Sequence, residues 1–321
     1  MLALAPKAAR GGRVECLPSP PRRRGGEQLN ACPRPQGNEG GEQLNACPRP
    51  FGGEGGPAQR DRVRGFRCHP VAQNSIIVML ILAFDTTSQR GGAALYRDRE
   101  CLADIANDNP ANRYSVTLFG MVDRLLAEAQ ARLAVASFSL RDIDLFAVAN
   151  GPGSFSGIRV GVAAAQGWAR AFDRPVCGVS VLEALVAQAL PEEDYAIPIL
   201  DARRGEFYLG LFRRTPGDQN RNFESVGEGR VLKPEELAPF LAERLPHVTS
   251  AVCLTREDDQ IALALRDALP KTLRWQPVPG TLVAGIAHLA LVAHRKGQLQ
   301  SPAELDAYYI RRSDAELNWR G

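Results

Sequence analysis

The sequence predicts an α/β protein preceded by an extension that does not fold. Three observations carry that reading. Across residues 79–321, short apolar runs of strand character alternate with longer amphipathic ones, in two blocks. A glycine-rich turn at 151–157 joins one such strand to one such helix. Residues 1–78 show neither period and hold twelve Gly and ten Pro with almost no bulky apolar residues.

The extension repeats itself. Gly-Gly-Glu-Gln-Leu-Asn-Ala-Cys-Pro-Arg-Pro stands at 25–35 and again, unchanged, at 40–50. Two copies are too few for a solenoid, and Cys32 and Cys47 lack companions for a metal site. Such a composition cannot offset chain entropy, so 1–78 is expected to be disordered. The expectation is that it is translated upstream sequence, with Met79 the functional start. It also distorts the charge. Residues 1–78 hold twelve of the 39 basic residues and six of the 36 acidic ones, leaving 27 against 30 in 79–321. The folded part is mildly acidic, and no basic stripe argues for nucleic-acid binding.

Within the folded part, 79–84 is a strand ended by the turn Asp85-Thr86-Thr87-Ser88, and 91–96 and 101–105 are the next two. After a polar loop, Ser115 is expected to cap a helix running to Leu133, with Leu118, Met121, Val122, Leu125, Leu126 and Ala129 on one broad stripe. A strand at 144–149 leads through the glycine turn into a helix ending near Phe172. Gly157, Gly161, Ala164, Ala165 and Trp168 give that helix a small-residue face. Gly161 costs about 1 kcal/mol relative to Ala, which calls for a packing reason. A strand at 175–179 and a helix from Ser180 to Leu190 follow, with 79–180 and 181–321 expected as two lobes. The second block reads as strands at 196–200 and 207–212, a polar loop at 215–229, a helix at 234–244, a strand at 251–254, and helices at 259–268 and 281–295. The tail from 308 to 312 is extended and basic.

Two readings of the turn stay open on its residues alone. Its backbone amides, at a helix N-terminus, form a seat for an anion; equally, Gly151, Gly153 and Gly157 make a tightly packed corner with no ligand. Cys101, Cys177 and Cys253 are far apart and flanked by apolar residues, which suits reduced structural thiols of a cytoplasmic protein. No apolar run approaches the ~20 residues that a membrane span needs.

Three stretches, in order, carry a resemblance: Ile81-Leu82-Ala83-Phe84-Asp85-Thr86-Thr87-Ser88, then Gly151-Pro152-Gly153-Ser154-Phe155-Ser156-Gly157-Ile158-Arg159, then Asp201-Ala202-Arg203-Arg204-Gly205-Glu206-Phe207-Tyr208. Over 79–321 the chain resembles the TsaB (YeaZ) family, the partner subunit in synthesis of threonylcarbamoyladenosine on tRNA. The resemblance implies a duplicated fold of the actin, Hsp70 and sugar-kinase kind, with ribonuclease H-like lobes. It implies a non-catalytic role: a heterodimer with the catalytic TsaD homologue, joined by the ATPase TsaE, with tRNA engaged indirectly. It implies no cofactor on this chain alone, with ATP or ADP at the interface of the assembled complex as the alternative. The family commonly has His-Ser-Glu where this chain has Tyr114-Ser115-Val116.

The catalytic homologue holds its metal through histidines on the helix after the third strand. Here that region has none, and His69, His247, His288 and His294 are scattered, so no metal site and no catalytic residue is expected, and a metalloprotease reading fails. The resemblance places the partner interface on the first two helices, at Leu118, Met121, Val122, Leu125, Val160, Gly161, Ala164 and Trp168, each of which could equally be core. It makes Asp85, Thr86, Thr87, Gly151, Gly153, Ser154, Gly157 and Arg159 a relic phosphate loop. Asp201, Arg203 and Glu206 are expected to be structural, the first two as a buried or hinge ion pair. The rival function is a free-standing ATPase or small-molecule kinase with Asp85, the 151–157 loop and Asp201 as its site. Whether the chain forms a homodimer without its partner is open.

Overall fold

A computed structural model describes residues 78–107, 113–216, 222–245, 250–256, 260–265 and 267–311. The extension, and with it the expected disorder of 1–78, lies outside the described residues apart from Val78.

The described residues form two mixed sheets. The first contains β1 (Leu80–Asp85), β2 (Gly92–Arg97), β3 (Glu100–Ala106), β4 (Leu145–Gly151) and β5 (Val176–Ser180), in the order β3-β2-β1-β4-β5. β1 pairs antiparallel with β2 and parallel with β4. The second is built around β6 (Tyr195–Arg203), β7 (Glu206–Leu209), β10 (Arg230–Leu232), β11 (Ala251–Arg256) and β12 (Arg274–Val278), in the order β10-β7-β6-β11-β12. The short β8 (Phe212–Arg214) and β9 (Phe223–Ser225) hang from β6. The two orders match strand for strand, with β6 antiparallel to β7 and parallel to β11. This is the duplicated, actin-like α/β arrangement.

Helices follow corresponding strands. α1 (Tyr114–Leu133) and α2 (Phe155–Phe172) pack on the outer face of the first sheet, where Phe84, Phe146, Leu118, Leu125, Ile158 and Trp168 form one core. α4 (Pro234–Arg244) and the short α5 (Ile261–Ala264) cover the outer face of the second, around Ile197, Leu209 and Leu237. Between the sheets lie α3 (Val181–Ala189) and α6 (Val283–Arg295), whose Leu185, Ile286 and Ala290 share a core with Ile81 of β1 and Leu254 of β11. Strands β1, β4, β6 and β11 are therefore buried on both faces, which is why they read as continuous apolar runs and not as alternating ones.

Three local expectations are corrected. Helix α1 begins at Tyr114 with Arg113 as N-cap, so Ser115 lies inside the helix and caps nothing. The helix expected over 259–268 is only four residues long among those described. Residues 274–278 form an edge strand, which Pro277 and the polar Gln276 concealed.

Candidate functional site

The β1–β2 turn is the anchor of the site. Asp85 closes β1 fully buried, and its Oδ1 accepts from the backbone N–H of Thr87 at 2.8 Å and from the Thr87 hydroxyl at 2.6 Å. Its Oδ2 accepts from Nη2 of Arg256 at 2.7 Å, an ion pair whose side chains are 0% and 6% exposed. Arg256 ends β11, so this bond ties the first strand of one sheet to the second sheet, 171 residues away. A second bond runs from Arg256 Nη1 to the Arg90 carbonyl. The Tyr114 hydroxyl beneath is buried without a hydrogen-bond partner, and burial, then the Asp85 carboxylate, push its pKa upward.

The glycine turn is a packed corner. The Ser154 N–H donates to the Thr87 carbonyl at 2.7 Å, so it is not aimed at a ligand. The Thr86 hydroxyl donates to the Gly157 carbonyl at 2.7 Å. A Cβ at Gly153 or Gly157 would run into the Thr87 or Thr86 backbone, and at Gly161 into the Thr86 hydroxyl. Gly153 and Gly157 are thus used by the β1–β2 turn, while Gly151 packs against the Tyr308 carbonyl. Ser154 is the N-cap of α2, accepting from Gly157 N–H at 3.4 Å. Along the other edge runs the segment 305–311: the Tyr308 N–H donates to the Asn150 carbonyl at 2.8 Å, and Gln166 Nε2 to the Leu305 carbonyl at 2.8 Å.

Beside this corner opens a cleft of ≈ 1070 Å³. Arg90, Arg159, Arg203, Arg204, Arg256 and Arg311 line it, and Asp201 is the carboxylate among its lining residues. Arg159 lies with its guanidinium 3.9 Å from the Phe155 ring centroid and donates to the Tyr309 hydroxyl at 3.2 Å. Arg203 and Arg204 form the lip, at the tip of the β6–β7 hairpin, with φ of 67° and 60°. The left-handed region costs a non-glycine residue about 1–2 kcal/mol; Asp201 steadies it by accepting from the Arg203 N–H at 2.7 Å. Asp201 and Arg203 do form an ion pair, at 3.4 Å, but the side chains are 45% and 82% exposed. Of the two expected forms, buried or hinge, the buried one does not hold for this pair; Asp85 with Arg256 is buried instead. Glu206 pairs with Arg311 at 3.2 Å.

The expected interface residues divide. Leu118, Met121, Val122, Leu125, Gly161 and Trp168 are buried inside this chain. Withdrawing Leu118 or Leu125 to meet a partner would forfeit about 1.5–3 kcal/mol each, so they are core. Val160 and Ala164 are partly buried at the margin of that core. Exposed instead are Val116 (77%) and Phe119 (55%) on α1, the latter edge-on to Trp168 of α2 with ring centroids 5.6 Å apart. An apolar stripe three residues apart was present in the sequence at 116 and 119, and the broader buried stripe masked it.

Among the described residues no three His, Cys, Asp or Glu side chains converge as a metal site, and no helix is long and apolar enough to cross a membrane. Asp85 is held by a guanidinium, which does not fit a metal ligand. Arg204 stood in the third motif and Arg311 in the basic tail, whereas Arg90 and Arg256 carried no motif; the one signal for Arg256 is a charge directly ending an apolar strand.

The family model described as TsaD, tRNA N6-adenosine threonylcarbamoyltransferase, matches residues 109–242. The chain is 35% identical over 139 residues to the tRNA threonylcarbamoyladenosine biosynthesis protein TsaB of Bacillus subtilis, a match covering 43% of this chain and 57% of that protein. It is 34% identical over 161 residues to the protein of the same name from Escherichia coli, covering 49% and 64%. The matches thus span about three-fifths of these curated relatives. The solved structure of YeaZ from Pseudomonas aeruginosa has the same fold, with a TM-score of 0.57 at 24% identity over 72% of this chain and 99% of that one. In the three motifs, the duplicated sheets and these matches, the chain is similar to the TsaB/YeaZ proteins.

Proposed function

We propose that this chain is a non-catalytic subunit of the complex that forms N6-threonylcarbamoyladenosine at position 37 of tRNAs reading codons that begin with A. It docks the catalytic TsaD homologue through the outer surface of α1 and α2, and TsaE joins that pair. The observation that carries the docking face is a coincidence of apolar exposure and unexplained glycine. Val116 and Phe119 present apolar surface, and Gly120 and Gly167, one in each helix, have nothing within 4 Å of an added Cβ. A mid-helix glycine costs about 1 kcal/mol relative to alanine. Unlike Gly161, these two have no neighbour among the described residues that requires it, and a closely approaching partner helix supplies the reason.

The kinase-like alternative is disfavoured by the engagement of Asp85 with Arg256. Co-purification with the tagged TsaD homologue tests the docking face. A Val116→Asp variant should lose the partner while keeping its thermal midpoint, since that side chain is 77% exposed. Undiminished capture by that variant would rule out this face.

A further inference from the structure

We propose that residues 298–311 are a releasable strap: they leave their channel as one unit while both sheets stay folded, and so unlatch the β6–β7 hairpin from the first sheet. The segment follows α6 and contains no helix or strand. It nevertheless runs a defined course from the edge of the first sheet to the second. Gln300 exchanges both backbone hydrogen bonds with Val176 at the start of β5, each at 3.0 Å, and its Oε1 accepts from the Gly178 N–H at 3.0 Å. Farther on, the carbonyls of Leu305 and Asp306 accept from the side-chain amides of Gln166 at 2.8 Å and Asn150 at 3.0 Å. The Tyr308 N–H returns a bond to the Asn150 carbonyl at 2.8 Å. Arg311 then reaches the second sheet, at Glu206 (3.2 Å) and at the Ala202 carbonyl (3.0 Å).

The channel is shaped for this segment. Gly151, Gly178 and Gly229 come from β4, β5 and the approach to β10, and each lacks a side chain where the strap passes. A Cβ at Gly151 would run into the Tyr308 carbonyl. One at Gly178 would meet Leu305 Cδ1 at 2.8 Å, and one at Gly229 would meet Ile310 Cδ1 at 2.8 Å. Backbone carbonyls away from water need donors, and the Gln166 and Asn150 amides stand in for a sheet ladder. The forces that hold the strap are nonetheless of a kind that lets go. Leu305, 3% exposed, is its only buried residue, while Leu299, Ala307 and Ile310 are partly buried. The other attachments are mainly hydrogen bonds, whose net contribution is small because water replaces them on opening. Segments with few buried apolar contacts open locally, below the cost of global unfolding. Gly297, at φ 66° directly after α6, supplies the pivot.

Hydrogen exchange on the full chain, followed residue by residue by NMR, tests this. The N–H groups of Val176, Gly178, Gln300 and Tyr308 report on the strap, since each is bonded across the channel. They should share one protection factor, at least about tenfold below that of the central strands β1 and β11, with a weaker dependence on urea. Leu305→Ala should speed all four by a common factor of at least about thirtyfold. Leu237→Ala, in the core between α4 and the second sheet, should speed exchange in β11 and leave the four strap amides unchanged. Strap amides as protected as those of β1 in the unaltered chain would overturn the proposal. So would unequal factors at Gln300 and Tyr308 in Leu305→Ala, or acceleration of the strap by Leu237→Ala.

Discussion

Replacing Arg256 by methionine isolates the interaction on which the site is built. The substitution keeps an apolar stem of similar length and removes the guanidinium, leaving the Asp85 carboxylate fully buried with only the two Thr87 donors. Breaking a buried pair by deleting one partner costs about 3–5 kcal/mol, because the remaining charge has neither water nor counterion. That is a large share of the ~5–15 kcal/mol that holds a domain together. The midpoint of thermal unfolding should fall by about 6–20 °C for a folded unit of this size. Asp85→Asn in the same chain removes the stranded charge while its amide oxygen keeps the Thr87 bonds, so the double variant should recover most of the loss. Urea unfolding followed by tryptophan fluorescence and by far-UV circular dichroism gives both numbers, and coincident transitions license the two-state treatment. The expected coupling exceeds about 2 kcal/mol, whereas an exposed pair such as Asp201 with Arg203 contributes about 0.2–1 kcal/mol. A cost below about 1 kcal/mol for Arg256→Met, or no recovery in the double variant, would refute the account of Asp85 as a charge neutralised from the other sheet.

Two further perturbations separate glycines and charges by their surroundings. Gly120→Ala and Gly167→Ala should each stabilise the isolated chain by about 0.5–1 kcal/mol, since an added Cβ meets nothing within 4 Å. Gly161→Ala should destabilise it by about 1–3 kcal/mol, because the Cβ collides with the Thr86 hydroxyl. Thermal unfolding of the three variants decides, and a common sign for all three would contradict the packing. The last perturbation concerns pH. Burial, then Arg99 and Arg295, hold the His288 pKa below its ordinary 6.5. The unfolded chain therefore takes up the proton first, so this stability is complete above pH 6.5 and is lost as pH falls toward the folded value. His288→Gln should flatten the acid-side decline measured by urea unfolding between about pH 7 and pH 5.5; an unchanged slope would exclude His288 as its source.

What the sequence made legible follows from the range over which each signal acts. The doubly buried strands announce themselves as apolar runs, and the glycine turn announces a strand-to-helix corner, because both are local. The stripe at Leu118, Met121, Val122 and Leu125 correctly implied burial, but periodicity says only that a face is covered, not by what. Its cover proved to be the chain's own sheet. Ser115 had the chemistry of a cap two residues too far along. The pairing of Asp85 with Arg256 was invisible for another reason: 171 residues separate the partners, and Arg256 stands in no motif. The same holds for the cleft, whose arginines come from five segments that only the duplicated fold brings together.

That duplication supplies an internal comparison for the site. β1 and β6 hold the same place in their sheets, and each ends near an aspartate whose Oδ1 accepts the backbone N–H two residues on, Thr87 at 2.8 Å and Arg203 at 2.7 Å. Short polar side chains stabilise turns in this way, so the local device is shared. Its surroundings are not. In the first sheet Gly153 and Gly157 pack against the turn, the aspartate is fully buried, and a guanidinium from the opposite sheet neutralises it. In the second sheet the aspartate stays half-exposed, and the following arginines line the cleft. One turn, used twice, thus gives a rigid floor on one side and a positively charged lip on the other. The asymmetry arises from what packs against each turn.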